Sequence, residues 1–146
     1  MVIADANLLL YAYNADDPRH EQAKAWLEAS LSSPQLFGLS WLVITAFLRI
    51  GTSPRIFAKP LTRQEATRIV SLWLDQPMVR MLIPGERHWA ILKQLIDEGQ
   101  AVGNLVMDAH LAALAIEHGA VLCTTDRDFM RFPGLRIENP LQDAQG

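Results

Sequence analysis

Short apolar runs alternate along this chain with longer segments whose apolar residues recur every three to four positions, and that alternation limits the fold more than any other feature. Val2-Ile3-Ala4, Gln35 to Leu39, Val79 to Ile83, Ala120 to Thr124 and Leu135 to Ile137 read as strands. The segments between them read as helices. Asn7 can cap a Leu-rich turn after Asp5, and Pro18 to Ser32 keeps Ala23, Trp26, Leu27 and Leu31 on one face. Ser40 can cap Trp41 to Ile50, Thr62 with Glu65 forms a capping box for a helix to Leu74, and Glu86 to Ile96 follows. Gly103-Asn104 introduces Leu105 to His118, which Gly119 ends. Strands separated by helices need crossover connections. The expectation is therefore a single α/β domain, a central parallel sheet of about four to five strands with helices on both faces. It covers residues 1–142, with Asp143 to Gly146 as a loose tail.

Composition excludes several classes. Half of the 146 residues are apolar and 20% are charged, enough to bury a core and too apolar for a disordered arm. The single cysteine, Cys123, cannot form an intramolecular disulfide and reads as a small core residue. The N-terminus lacks a basic leader, and no apolar run reaches the ~18 residues of a membrane span. The expected setting is cytoplasmic, with no membrane partner. A net charge of −3 argues at first sight against a nucleic-acid partner.

In open parallel sheets, ligands gather beyond the carboxyl ends of the strands. Asp5 closes the first strand, and Asp126 and Asp128 follow the strand ending at Thr124-Thr125. Asp108 is the most unusual acid, because Leu105, Leu111, Ala112 and Ala115 share its helical stripe. A carboxylate buried there must be neutralised, paired or bound to a cation. No Lys or Arg lies between Lys93 and Arg127 to pair with it. If Asp5, Asp108 and Asp126 converge, a divalent metal resolves the repulsion, and an all-oxygen ligand set favours Mg²⁺ or Mn²⁺ over zinc. The competing reading is purely structural: Asp108 complements its helix dipole and Asp126 caps the short helix that follows.

Four segments carry a resemblance. D-A-N-L-L-L-Y-A from Asp5, F-L-R-I-G-T-S-P-R-I-F from Phe47, G-N-L-V-M-D-A-H-L-A-A-L-A from Gly103 and T-T-D-R-D-F from Thr124 are similar, in order, to the PIN-domain ribonucleases. More narrowly, the chain resembles the VapC toxins of bacterial type II toxin-antitoxin systems. The resemblance implies a compact PIN-like domain whose acids bind Mg²⁺ or Mn²⁺ and activate water to cut RNA. By position it makes Asp5, Asp108 and Asp126 catalytic metal ligands, joined by Asp128, with Asn7 and Thr124 or Thr125 as the polar residues that support them. It also implies a VapB-type antitoxin, a homodimer and a hetero-oligomer with the antitoxin. One family feature is missing, since Ala46 stands where many members carry a helix Glu. That loss bears on whether one metal is held or two.

In such a site Asp5 and Asp108 are the expected principal ligands, and a second ion held by Asp126 and Asp128 would sit about 3.5–4 Å away. From Ala29 to Gln64 the sequence has no acid but carries Arg49, Arg55, Lys59 and Arg63, a candidate track for RNA phosphates. Trp41 and Phe47 in that stretch are expected in the core, with Arg55, Lys59 and Arg63 exposed. Arg49 either serves the track or pairs with a distant acid. Setting the four site acids aside leaves 13 basic residues against 12 acidic, so the net charge conceals an acidic pocket on a nearly neutral scaffold.

Helix-terminal or surface roles are expected for His20, His88, His110 and His118, because His110 points about 200° around its helix from Asp108. Tyr11, Tyr13, Trp26 and Trp73 serve either the core or a groove for an antitoxin helix. Two other functions remain. A catalytically silent PIN-like module binding RNA or protein is favoured by Ala46, and an aspartyl-phosphate phosphatase is disfavoured because Asn7 replaces the second Asp its chemistry needs.

Overall fold

The computed structural model describes residues 1–141, so the tail expected from Asp143 lies outside the described residues. In chain order the elements are β1 (Val2–Ala4), α1 (Ala6–Ala12), α2 (His20–Ser32), β2 (Phe37–Leu39), α3 (Trp41–Gly51), α4 (Arg63–Leu74), β3 (Val79–Met81), α5 (His88–Glu98), α6 (Leu105–Glu117), β4 (Val121–Cys123), a 3-10 turn (Arg127–Arg131) and β5 (Ile137–Glu138). Among the described residues they build one five-stranded sheet in the order β3-β2-β1-β4-β5, with every pairing parallel.

That order follows from the crossovers. The chain moves outward from β1 through β2 to β3, then returns past β1 to β4. Right-handed connections therefore assign α1 to α4 to one face and α5 and α6 to the other. The packing agrees, since α1 lies against α2 and α3, α3 against α4, and α5 against α6. The reversal falls between β1 and β4, and there the carboxyl ends of two adjacent strands open into a crevice.

Local signals set the helix starts. Ser40 accepts a hydrogen bond from Val43 N, and Thr62 and Glu65 complete their capping box. Gly119 ends α6 with φ +66, a backbone conformation glycine adopts without a Cβ clash. The core joins the sheet residues Ile3, Phe37, Leu39 and Leu122 to Val43, Ile44, Phe47 and Trp73, with the Phe47 and Trp73 rings 4.7 Å apart. Cys123 is buried in β4, and burial pushes its thiol up to about 12, the state of an inert core residue. Among the described residues no helix is long and apolar enough to cross a membrane.

Several sequence expectations need correction. Asp5, not Asn7, caps α1, because Asp5 is extended at the end of β1 and its carboxylate accepts from Ala6 N. Helix α2 starts at His20, two residues after Pro18, because the Asp17 carboxylate accepts both the Arg19 amide and guanidinium and holds that stretch as a turn. The last strand is displaced to Ile137–Glu138 by Gly134, at φ +83. Trp41 is 55% exposed rather than in the core. It opens α3 on the line shared with exposed Thr45, away from the buried line of Val43, Ile44 and Phe47. Phe47 is buried as expected.

Gly38 shows how tightly β2 is enclosed. A Cβ there would lie 2.7 Å from Leu82 Cδ1 and 3.1 Å from the backbone oxygen of Val2. Gly38→Ala should lower the unfolding free energy in urea by about 1–3 kcal/mol, the usual cost of overpacking.

Candidate metal centre

The β1 and β4 ends bring the expected acids to one edge. Asp5 N donates to Cys123 O at 3.0 Å, continuing the β1–β4 ladder one residue past the strands. Both oxygens of its carboxylate are engaged: Oδ1 accepts from Ala6 N at 2.8 Å, and Oδ2 accepts from the Thr124 hydroxyl at 2.7 Å. Thr124 Oγ1 in turn accepts from Asp126 N at 3.0 Å. Asp126 Oδ1 then caps the 3-10 turn by accepting from Asp128 N at 2.8 Å. One buried threonine thus joins the acid after β1 to the acids after β4.

Asp108 arrives from the opposite face, in the first turn of α6. One carboxylate oxygen each of Asp108, Asp126 and Asp128 lie within 4.8 Å of one another. Asp5 stands outside this trio, its oxygens held by α1 and Thr124, but close enough for charge to be felt. Burial, chiefly, raises its pKa, the Thr124 and Ala6 hydrogen bonds oppose the rise, and the Asp126 charge adds to it. Asp108 is pushed up to about 6, first by desolvation and then by the charges of Asp126, Asp5 and Asp128, with Arg131 opposing. Among the described residues no Lys or Arg forms an ion pair with any of the four acids. Crowded carboxylates without a compensating cation are the donor set that a hard divalent ion fits.

The supporting residues differ from one another. Thr124 is buried and makes the connections just described, whereas Asn7 and Thr125 are half-buried and make no side-chain hydrogen bond among the described residues. Thr125 and Asp126 line a groove that extends over Arg127, Met130, Leu135, Ile137 and Asn139. Arg49, Arg55, Lys59 and Arg63 are exposed and form no ion pair among the described residues, which removes the distant-acid partner considered for Arg49. Lys59 shares a small pocket with Leu10, Tyr13 and Asn14. That pocket lies beyond the C-terminus of α1, roughly 12 Å along the helix axis from Asp5. Ala46 leaves α3 without any acid.

One expectation about the histidines fails, since His110 sits half-buried inside α6, at neither a helix end nor the surface. His88 opens α5, the helix-terminal place expected for it, and is buried there: its Nε2 lies 3.1 Å from His110 Nδ1 between α5 and α6, and its Nδ1 lies 3.8 Å from Glu117 Oε1. Burial, then the neighbouring His88, lowers the His110 pKa. His20 and His118 bond the carbonyls of Tyr11 and Ile83. The sequence does not single out Arg131, whose charge reaches Asp108, because Arg127 stands closer to the acids in the chain.

The PIN domain family model matches residues 2–135. Ribonuclease VapC37 of Mycobacterium tuberculosis is 41% identical over 140 residues, 96% of this chain and 97% of that protein. Ribonuclease VapC33 of the same species is 39% identical over 143 residues, 98% of this chain and all of that protein. Among solved structures, VapBC2 from Rickettsia felis bound to a promoter DNA fragment superposes with a TM-score of 0.68 at 20% identity, covering 95% of this chain and 98% of that one. The chain belongs to the PIN-domain family and, within it, to the VapC ribonucleases.

Linkage gives a pH test. Because the folded-state pKa of Asp108 lies near 6 and its ordinary value is 3.8, the folded protein binds more protons than the unfolded chain between those values. The contribution of this group to stability therefore falls as pH rises through that window and stays lost above it. Metal-free Asp108→Asn should melt higher than wild type at pH 8 and show little difference at pH 4, by calorimetry in EDTA. Removing the hydroxyl link with Thr124→Val leaves Asp5 and Asp126 N each short of a partner, and should lower the urea-unfolding free energy by about 1–3 kcal/mol.

Proposed function

We propose that this chain is the toxin of a type II toxin-antitoxin pair, a Mg²⁺- or Mn²⁺-dependent endoribonuclease. The observation that carries this reading is the unpaired trio Asp108, Asp126 and Asp128 at the strand-order reversal of a VapC-family chain. In this reading Asp108, Asp126 and Asp128 hold the ion, and Asp5 completes its surroundings from β1. A bound divalent ion would orient the scissile phosphate, polarise its oxygen and lower the pKa of water.

The chain's own residues supply the rest. Asp108 is mostly ionised at neutral pH and becomes a better ligand as pH rises through about 6. Thr124 donates to Asp5 Oδ2, so that carboxylate holds one rotamer. Asp126 is fixed through its own amide and through the cap it makes for the 3-10 turn. The exposed cations Arg49, Arg55, Lys59 and Arg63 offer an RNA backbone electrostatic attraction.

The structural neighbours, VapBC structures among them, support a VapB-type antitoxin; a homodimer and a hetero-oligomer with the antitoxin are what the family resemblance implies. Of the aromatic residues considered for that contact, Trp73 belongs to the core, where its indole N–H donates to the Tyr13 hydroxyl at 3.0 Å. Tyr13 is 37% exposed and remains available to a partner helix. The cytoplasm, where an unpaired buried Cys123 stays reduced, is the assigned compartment. A second reading, a catalytically silent RNA- or protein-binding module, draws on the absence of any acid in α3.

Cleavage of a labelled RNA separates the two. The nuclease reading expects activity that EDTA abolishes and that Mg²⁺ or Mn²⁺ restores. Asp108→Asn should lose more than the about 10–100-fold typical of removing a residue behind a metal ligand. Metal-independent cleavage, or full activity in that variant, would falsify the assigned site, and RNA binding with no cleavage under any metal favours the silent module.

A further inference from the structure

The acidic trio is assembled from two segments that meet only through tertiary packing. Asp108 comes from α6, whereas Asp126 and Asp128 come from the chain after β4. Three like charges within 4.8 Å push these segments apart, so something must set the gap between them. Neither Thr124 nor the 3-10 cap does so, because both act on the β1 and β4 side alone.

The junction is made elsewhere, at the turn that leads from α5 into α6. Arg131 Nη1 donates to Gly99 O at 3.0 Å, while Nε of the same guanidinium donates to Asp128 O at 3.2 Å. Gly99 is the C-cap of α5, and the turn that follows it holds Gln100 at φ 50 and Gly103 at φ 60 before α6 begins. The next residue in the chain reinforces the contact. The buried Phe132 ring packs on the bare Gly99 backbone so closely that a Cβ there would lie 2.7 Å from Cε1. One planar, two-pronged cation thus ties the backbone of a proposed ligand to the end of the helix preceding α6.

We propose that Arg131 is a positioning residue for the metal centre: its guanidinium clasps the Asp128 carbonyl to the Gly99 carbonyl and thereby holds Asp126 and Asp128 at ligand distance from Asp108. The proposal rests on the metal-site reading above. Arg131 touches neither the ion nor the RNA in this role. Lysine does not replace it, since a single ammonium on a flexible stem lacks the fixed fork that serves two carbonyls at once.

Charge and geometry predict opposite signs, which makes the test decisive. As a mere positive charge beside the acids, Arg131 repels a metal ion, and its removal should tighten binding. As a clasp, it holds the ligands in place, and its removal should loosen binding. Mn²⁺ titrations of the full chain, with free ion read by electron paramagnetic resonance, compare wild type, Arg131→Ala, Arg131→Lys and Asp108→Asn at a temperature where circular dichroism shows each folded.

The expected result is about tenfold weaker Mn²⁺ binding in Arg131→Ala, the low end of what residues behind the ligands contribute. Arg131→Lys should keep most of that defect. Equal or tighter binding in Arg131→Ala, or full rescue by Arg131→Lys, overturns the clasp. Mn²⁺ binding in wild type that Asp108→Asn leaves unchanged overturns the metal-site reading itself, a separate failure.

Discussion

The site depends on the hydroxyl of Thr124. A parallel sheet whose order reverses at β1 and β4 gathers the ends of two central strands, and here each end is followed by an acid. Left to themselves, carboxylates at such an edge would turn toward water and away from each other. Thr124 prevents this by donating to Asp5 while accepting from the amide of Asp126, so one buried group fixes both. A hydroxyl is suited to that position because it is donor and acceptor at once. A valine of the same shape would fill the space and break the link between the two, leaving Asp5 only its bond from Ala6 N and Asp126 only its cap on the 3-10 turn.

The cost of the arrangement is visible in Asp108. Its carboxyl group is pushed up to about 6 by burial and by its acidic neighbours, so above that pH the metal-free protein carries a charge that its surroundings oppose. The rest of the chain offsets this with ordinary means, a core of leucine, phenylalanine and tryptophan side chains and well-formed caps on α3 and α4. The acids crowded at the β1–β4 edge break the rule that like charges are kept apart, the pattern expected where an exception serves function.

The sequence made legible whatever rests on local chemistry. The strand cores, the Ser40 cap, the Thr62–Glu65 box and the Gly119 stop are each written in residues within four positions of one another. Asp108 was detectable because an acid on a leucine and alanine stripe contradicts its surroundings. Errors came where a tertiary contact decided between equal local options. Asn7 and Asp5 are both good caps, and the β1–β4 ladder selects Asp5 by holding it extended. His110 sits inside α6 rather than at its end, and only the packing of α5 on α6 sets it against the buried His88. Arg131 was invisible for the same reason, since its partners are backbone carbonyls, one of them 32 residues away.

Net charge is the property on which sequence and structure together change the conclusion. Among the described residues, Arg19 with Asp17 is the one ion pair between an arginine or lysine and an acid. The cations from Arg49 to Arg63 are therefore not spent on ion pairs within the fold, nor are the acids of the trio. Opposite charges that do not neutralise each other within the protein remain available to ligands that do. The acids suit a divalent cation and the cations suit a phosphate backbone, so a net charge of −3 carries no argument against an RNA partner.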